Sequence, residues 1–407
     1  MAYRYSKAAG GKSADSATYC IDEDILTLRD SFLSLVGWVV LCTALTGCVT
    51  LPRAPFTQAE QASASPRGFG QVRYTAEDES LTLMLRQSLK PDAKGDVDAL
   101  AISGGGANGA YGAGLLYGWT KNGKRPEFQL VTGVSAGALL APFAFLGPAW
   151  DNELHQAYFG PAIARLREPR LLLRLFTPGL YDNAPLKELV RSYVSDRLIQ
   201  AVAAEHAKGR RLLVGTTNLD TEQLVVWDMG AIATKGGVEA RDMFATVLVA
   251  SASVPGIYAP SMIPVESGGH AFSEMHIDGQ AEAAFFAIPQ SLLLSRSVTP
   301  SPFHARLFII INGRVESKFS VKPNSTISIL RGTIDAGGKA AVRSILISTA
   351  QFCQRTGCEL SVASLPPTIK DDSSDFDQAH LESLFAIGEA GSVNGSGWRP
   401  AASVVTP

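Results

Sequence analysis

Twice in its first half, this chain runs a short apolar stretch directly into glycine and then into a helical stretch of small residues. The first unit is residues 97–103, then Gly104-Gly105-Gly106, then a helix predicted from 108 to 119. The second is residues 129–133, then a helix predicted from 136 to 146 and stopped by Gly147-Pro148. Strands that are apolar on both faces need cover on both faces, as in a sheet sandwiched between helices. More strands are predicted at 211–217, 223–228, 271–277 and 305–311, the last ending in Leu307-Phe308-Ile309-Ile310-Ile311. Helices are predicted at 185–196, 240–251, 339–354 and 380–386. The alternation predicts an α/β fold, a layered sheet flanked by helices, with no internal repeat. Residues 365–376 and 391–407 read as loops.

The second unit carries Gly133-Val134-Ser135-Ala136-Gly137, a G-x-S-x-G string. A serine at a sharp strand-to-helix turn is held in strained backbone with its hydroxyl pushed outward. Glycines two before and two after let strand and helix pass without a Cβ clash. The helix N-terminus also favours developing negative charge. The same serine could instead simply cap the helix. The first unit ends in Ser103-Gly104-Gly105-Gly106-Ala107-Asn108-Gly109. Consecutive glycines can aim several backbone N–H groups at one point, as an oxyanion hole does. Such loops also cradle phosphates, but no Walker lysine follows and G-x-G-x-x-G is met only loosely, by Gly104, Gly106 and Gly109.

A nucleophilic serine needs a base. The histidines after Ser135 are His155, His206, His270, His276, His304 and His380, and none lies in a recognisable motif. His276-Ile277-Asp278-Gly279 closes a strand pattern and sets Asp278 at its tip. Taken alone, Asp278-Gly279 reads as a β-turn. His276, two residues earlier on the same strand face, is a candidate helper or a packed strand histidine.

Together, Gly104 to Gly109, Gly133 to Gly137 and Asp278-Gly279 resemble the patatin-like phospholipases. That family carries a glycine-rich oxyanion loop, a G-x-S-x-G elbow and a D-G-[GA] motif in this order. The stretch Val249-Ala250-Ser251-Ala252-Ser253-Val254-Pro255-Gly256-Ile257-Tyr258-Ala259-Pro260 resembles its alanine-rich helix and proline segment. The resemblance spans about residues 97–315. It implies a patatin-like fold related to the α/β-hydrolase elbow architecture, and a Ser135–Asp278 dyad with no catalytic histidine. Gly104, Gly105 and Gly106 would form the oxyanion hole, with Gly109, Gly133, Gly137 and Gly279 as supporting glycines. The implied activity is hydrolysis of acyl esters in phospholipid or lysophospholipid. Two positions depart from the family: Asn108 stands where Arg or Lys is frequent, and Gln280 where Gly or Ala is usual. They leave open a weakly active or inactive lipid-binding envelope protein, and an acyltransferase using the same site is a further alternative. A Ser–His–Asp triad would instead require one of the later histidines. An acyl pocket could draw on Leu139, Phe143, Phe145 and residues 171–180, which otherwise fill the core.

The 407 residues, 46% hydrophobic, suffice for one large domain or two smaller ones. A net charge of −2 gives no sign of the basic surplus of a nucleic-acid binder. Neither C-x-x-C nor H-E-x-x-H spacing occurs, nor an acidic loop with calcium spacing, so no metal and no cofactor is expected. Cys353 and Cys358 flank a plausible turn and could be bonded in an oxidising compartment or remain free thiols.

Residues 32–45 are apolar and uncharged, about 14 residues where a membrane span needs about 20. They read as a signal h-region or a buried helix. Leu45-Thr46-Gly47-Cys48 directly after them resembles the lipobox of bacterial lipoproteins. That resemblance implies cleavage before Cys48, a lipid on its thiol, and an envelope location, with Val49 favouring the outer membrane. The long leader holding Asp15, Asp22, Glu23 and Asp24 is unlike a signal n-region. It points to a later start codon or to a tail before an uncleaved anchor. The expected organisation is a targeting segment at 1–47, a lipidated flexible tether at 48–72, a catalytic domain at 73–390 and a loop-like tail at 391–407.

Overall fold

The apolar runs become five parallel strands at the middle of an 11-stranded mixed sheet. The computed structural model describes residues 53–167, 183–294 and 303–403, apart from 318, 320, 322 and 402. Two compact units divide the chain, Met1–Pro52 and Arg53–Pro407. The first lies outside the described residues, and with it the targeting segment, residues 32–45 and Cys48. Residues 171–180, named for the acyl pocket, also lie outside them. No helix among the described residues is long and apolar enough to cross a membrane.

In chain order the strands are β1 (Ser65–Pro66), β2 (Arg73–Thr75), β3 (Asp96–Ile102), β4 (Leu130–Val134), β5 (Arg211–Asn218), β6 (Gln223–Asp228), β7 (Ser261–Ser267), β8 (His270–Asp278), β9 (His304–Ile311), β10 (Glu359–Ser364) and β11 (Arg399–Pro400). Helices used below are α1 (Gln58–Ser63), α2 (Gly109–Lys121), α3 (Ala136–Leu146), α4 (Gly237–Ser251), α5 (Thr326–Thr356) and α6 (Gln378–Val393). The parallel core runs β5-β4-β3-β9-β10. From β3 the chain moves outward through β4 to β5, and β9 and β10 later fill the other side of β3. The loops after β3 and β4 therefore open at a reversal of strand order, where α/β sheets bind ligands outside the carboxyl ends of their strands.

The sandwich forms as the patterning requires. Leu100, Ile102, Val131, Val214 and Ile310 are buried with α2, α3 and α6 in the main core, while Ala101, Ile309, Ile311 and Val362 pack on the opposite face with Val342 and Leu346 of α5. The small residues of α2 let α6 approach closely: a Cβ on Gly114 would lie 2.0 Å from the Phe385 carbonyl oxygen.

Several elements differ from expectation. The segment read as a flexible tether is structured from Arg53 onward. Thr57 caps α1 in a reciprocal capping box with Glu60. Ser65 and Pro66 add a strand to β7, Phe56 stacks on Phe272 at 4.3 Å, and Arg53 pairs with Asp220 at 2.6 Å. Apart from the capping box, these contacts come from residues more than 160 positions away, so no local pattern announces them. The tail is not all loop either, because α6 reaches Val393, β11 pairs with β10, and Trp398 packs on Trp119 at 4.4 Å. β7 was hidden by Pro264, which normally argues against a strand. It is tolerated because β1 pairs only with Glu266 and Val265. The helix predicted at 185–196 is two helices, Ala184–Tyr193 and Asp196–Ala207, broken where Ser195 caps the second. Cys353 and Cys358 are bonded, tying the end of α5 to the start of β10.

Candidate functional site

Hydrogen-bond register brings Ser135 and Asp278 together. β4 runs parallel to β5 and ends with Val134 opposite Gly215. β8 runs antiparallel to β5 and ends with Asp278 opposite Thr216. β6 occupies the other edge of β5 from Leu213 to Asn218, so β4 and β8 share one edge and run towards each other. Their ends meet between Gly215 and Thr216. The Ser135 hydroxyl donates to Asp278 Oδ2 at 2.5 Å across 143 residues of sequence.

The backbone at the meeting point has the conformation expected of a nucleophile elbow. Ser135 has φ +56° and ψ −124°, a region that costs a non-glycine residue about 1–3 kcal/mol. A Cβ on Gly133 would lie 2.5 Å from the Gly137 carbonyl oxygen, and one on Gly137 would lie 2.2 Å from that of Ile102. Both glycines are demanded by strand and helix crossing at contact distance. Gly279 is demanded in the same way, since its Cβ would meet the Gly215 carbonyl oxygen at 2.4 Å. At Gly109 a Cβ would lie 2.3 Å from the Tyr158 hydroxyl.

Ser251, at the end of α4, holds the elbow. Its hydroxyl accepts from the Ser135 N–H at 2.9 Å and donates to the Gly215 carbonyl at 2.7 Å, fully buried. Ser251 lies in the stretch that resembles the family's alanine-rich helix, where the sequence alone assigns it no role. Its local sign is a hydroxyl closing the apolar run Val247-Leu248-Val249-Ala250.

Asp278 is as tightly held. Its Oδ1 accepts from the Gln280 N–H at 2.8 Å, its own N–H donates to the Ser253 carbonyl at 2.9 Å, and Thr217 donates to its carbonyl at 3.0 Å. Burial pushes its carboxyl up to about 7, against the bonds from Ser135 and the Gln280 amide, which favour the ionised form. A carboxylate poised there is half ionised near neutral pH and can take a proton and return it.

The glycine loop after β3 lies against this pair. Of its three glycines, Gly104 already donates its N–H to the Ala284 carbonyl at 3.2 Å. Among the described residues, the N–H groups of Gly105 and Gly106 meet no acceptor. Gly104 instead supplies room, for a Cβ there would lie 2.9 Å from that of Ser135 and 2.1 Å from Gln280 Oε1. Asn312, at the tip of β9, pins the loop. Its side-chain amide donates to the Ser103 carbonyl at 2.8 Å, its backbone N–H donates to the Ser103 hydroxyl at 2.9 Å, and its Oδ1 accepts from the Gly112 N–H at 3.1 Å. In sequence Asn312 has one sign only, a polar residue directly after a run of five apolar ones. The N-termini of α2 and α3 both open at this loop and at Ser135, adding favourable potential for an anion.

The two departures from the family pattern have definite places. Asn108 is buried and donates from Nδ2 to Asp371 Oδ1 at 2.8 Å. Asp371 also faces Arg314 and Lys339. Gln280 lies over Gly104 beside the serine.

No histidine joins the pair among the described residues. His276 is fully buried in a polar chain: Trp227 donates to the Thr216 hydroxyl, Thr216 meets His276 Nδ1 at 2.9 Å, and His276 Nε2 meets Glu274 at 3.2 Å. Burial lowers its basicity despite Glu274. With Thr216 donating to Nδ1, the proton on Nε2 goes to Glu274. Burial alone would raise the Glu274 carboxyl, but His276 and Arg73 outweigh it and hold it at about 2. His276 thus braces β8 and does not face Ser135. His206 sits by Asp228, His270 by Glu60, His304 between Asp96 and Glu359, and His155 among Tyr117, Phe159 and Phe385. Phe143 and Phe145, candidates for an acyl pocket, are fully buried core residues, and Leu139 is partly buried. Among the described residues no group of three His, Cys, Asp or Glu is placed to hold a metal ion.

Residues 100–284 match the family described as patatin-like phospholipase. No curated protein matches the chain. Among solved structures, VipD from Legionella pneumophila is similar at 11% identity, with a TM-score of 0.35, over 76% of this chain and 70% of that one. That likeness is too distant to add to the argument.

Proposed function

Residues 100–284 form a patatin-like phospholipase domain, and from that premise we propose that Ser135 and Asp278 hydrolyse acyl esters of phospholipid or lysophospholipid as a two-residue catalytic unit. The observation that carries this reading is the Ser135–Asp278 hydrogen bond at a strained strand-to-helix turn. In the first step Ser135 Oγ attacks the ester carbonyl carbon as its proton passes to Asp278 Oδ2. The carbonyl electron pair moves onto oxygen, where the N–H groups of Gly105 and Gly106 stabilise it. Collapse breaks the bond to the leaving alcohol, which takes the proton back from Asp278. Water then attacks the acyl-serine as Asp278 takes its proton, and collapse breaks the acyl–Oγ bond, Ser135 Oγ regaining the proton from Asp278 as the fatty acid leaves. An acceptor alcohol in place of water would make the same site an acyltransferase.

The test is release of p-nitrophenol from short and medium acyl esters, with Ser135→Ala and Asp278→Asn beside the native chain. Loss of turnover in both variants supports the dyad. Activity surviving Ser135→Ala refutes it. A folded native chain that turns over no ester, with lipid present, favours a lipid-binding role, to which Gln280 over the oxyanion loop would contribute.

We further propose an envelope lipoprotein anchored through Cys48, in the outer membrane. The apolar run before Leu45-Thr46-Gly47-Cys48 supports it, and the Cys353–Cys358 disulfide supports an oxidising compartment. Intact mass of the membrane fraction tests it: an N-terminus other than a lipid-bearing Cys48 would sink it.

A further inference from the structure

We infer that Asp371 is a positioning residue, whose carboxylate holds the glycine loop beside Ser135 in a fixed shape through Asn108. Three glycines in a row carry no side chain that could anchor them, and glycine has more backbone freedom to lose than any other residue. Backbone donors help a developing oxyanion most when they are already in place as the charge appears. The loop therefore has to be gripped from outside. One grip is the Asn312 carbonyl oxygen at the tip of β9, 2.1 Å from where a Gly105 Cβ would be. The other comes from the segment between β10 and α6. There the Ser373 carbonyl oxygen accepts from the Ala107 N–H at 2.9 Å and lies 2.2 Å from where a Gly106 Cβ would be.

Asp371, two residues before Ser373, joins the two grips. Its Oδ1 accepts from Asn108 Nδ2 at 2.8 Å, across 263 residues of sequence. Its Oδ2 accepts from the Arg314 backbone N–H at 3.4 Å, and meets Lys339 of α5 at 3.2 Å and Arg314 Nε at 3.5 Å. Arg314 follows Asn312 by two residues, so one carboxylate ties the end of the glycine loop to the tip of β9 and to α5. Asn108 is buried and its Oδ1 meets no donor, so among the described residues the bond to Asp371 is its sole side-chain hydrogen bond. A hydrogen bond to an ionised acceptor is stronger than one between neutral groups.

Charge alone would give Asp371 the opposite effect. A carboxylate near a developing oxyanion repels it, so removing that charge would speed the reaction if its field were all that mattered. A clamp predicts a loss instead. The consequence for turnover rests on the acyl-ester reading, whereas the hold on the loop does not.

Asp371→Ala and Asp371→Asn in the full chain test the clamp, because asparagine keeps an oxygen for Asn108 and loses the charge. In Asp371→Ala, kcat on a water-soluble p-nitrophenyl ester is expected to fall about thirtyfold, with KM within about twofold of native. Asp371→Asn is expected to keep kcat within about threefold. Hydrogen exchange at the Ala107 amide is expected to quicken about tenfold in the alanine variant and to stay near native in the asparagine one. Asn108→Ala cuts the same bond from its other end, so it serves if Asp371→Ala does not fold, and the two together should lose no more than either alone. Native exchange at Ala107 in the alanine variants overturns the clamp. So does an equal fall in kcat, or a rise, in both Asp371 variants, which would make the influence one of charge. The exchange readout needs no turnover. A native chain that hydrolyses no ester, with exchange quickened in the alanine variants, would defeat the catalytic reading and leave the clamp standing.

Discussion

In the proposed dyad Asp278 sets function against stability, and the conflict can be measured. Its carboxyl is displaced by burial from an ordinary 3.8 up to about 7. Between those values the folded chain keeps the proton that the unfolded chain has released. Stability from this group is therefore complete below 3.8 and is lost as pH rises through 7. The displacement is about three pH units at about 1.4 kcal/mol each, or about 4 kcal/mol in all. Most of that falls in an accessible range, about 3 kcal/mol between about pH 5 and about pH 8.5. Asn at 278 has nothing to ionise, so Asp278→Asn should show no such slope. Urea unfolding of both proteins at the two pH values gives four free energies. The advantage of the variant over the native chain should grow by about 3 kcal/mol from the acidic to the alkaline condition, whatever its constant packing cost. In the native chain, kcat/KM on a soluble ester should rise with pH through about 7, as the ionised base appears. A stability difference that stays flat with pH would refute the reasoning, since it would mean that Asp278 is ionised in the folded chain throughout.

Two further outcomes follow from buried hydrogen bonds. Ser251→Ala leaves the Ser135 N–H and the Gly215 carbonyl without their buried partner. It should cost about 2–4 kcal/mol in denaturant unfolding and lower kcat on a soluble ester with little change in KM, and a change in KM alone would count against a role in holding the elbow. Arg73→Met removes the cation paired with the fully buried Glu274 carboxylate and leaves it the His276 bond. It should cost about 3–5 kcal/mol, and adding Glu274→Met should restore most of that; no recovery in the double variant would show that the pair matters for packing alone.

Much of the site was legible because its signals are local. Gly133-Val134-Ser135-Ala136-Gly137 announces a turn whose sterics allow few other residues, and the triple glycine after an apolar strand announces a loop that backbone must approach closely. Helix α3 begins and ends where its small residues and Gly147 predict. What was not legible has no local signature. Gly104 and Gly106 look alike in sequence, yet only the first spends its N–H on Ala284. His276 looked like a possible helper until burial and Thr216 gave it another partner. The arm from Arg53 to Thr75 reads as a tether because each of its anchors lies far along the chain.

By itself, then, the sequence determined the layered α/β class and the strand-to-helix turn that carries Ser135, because each follows from spacing and backbone sterics over a few residues; Asp278 was singled out only by the family resemblance, since Asp278-Gly279 alone reads as a turn. Only the tertiary structure decided that β4 and β8 end face to face on one edge of β5, that Gly104 gives its amide to Ala284, and how far burial raises Asp278. Those depend on register and desolvation, which arise only when residues distant in the chain are packed against one another.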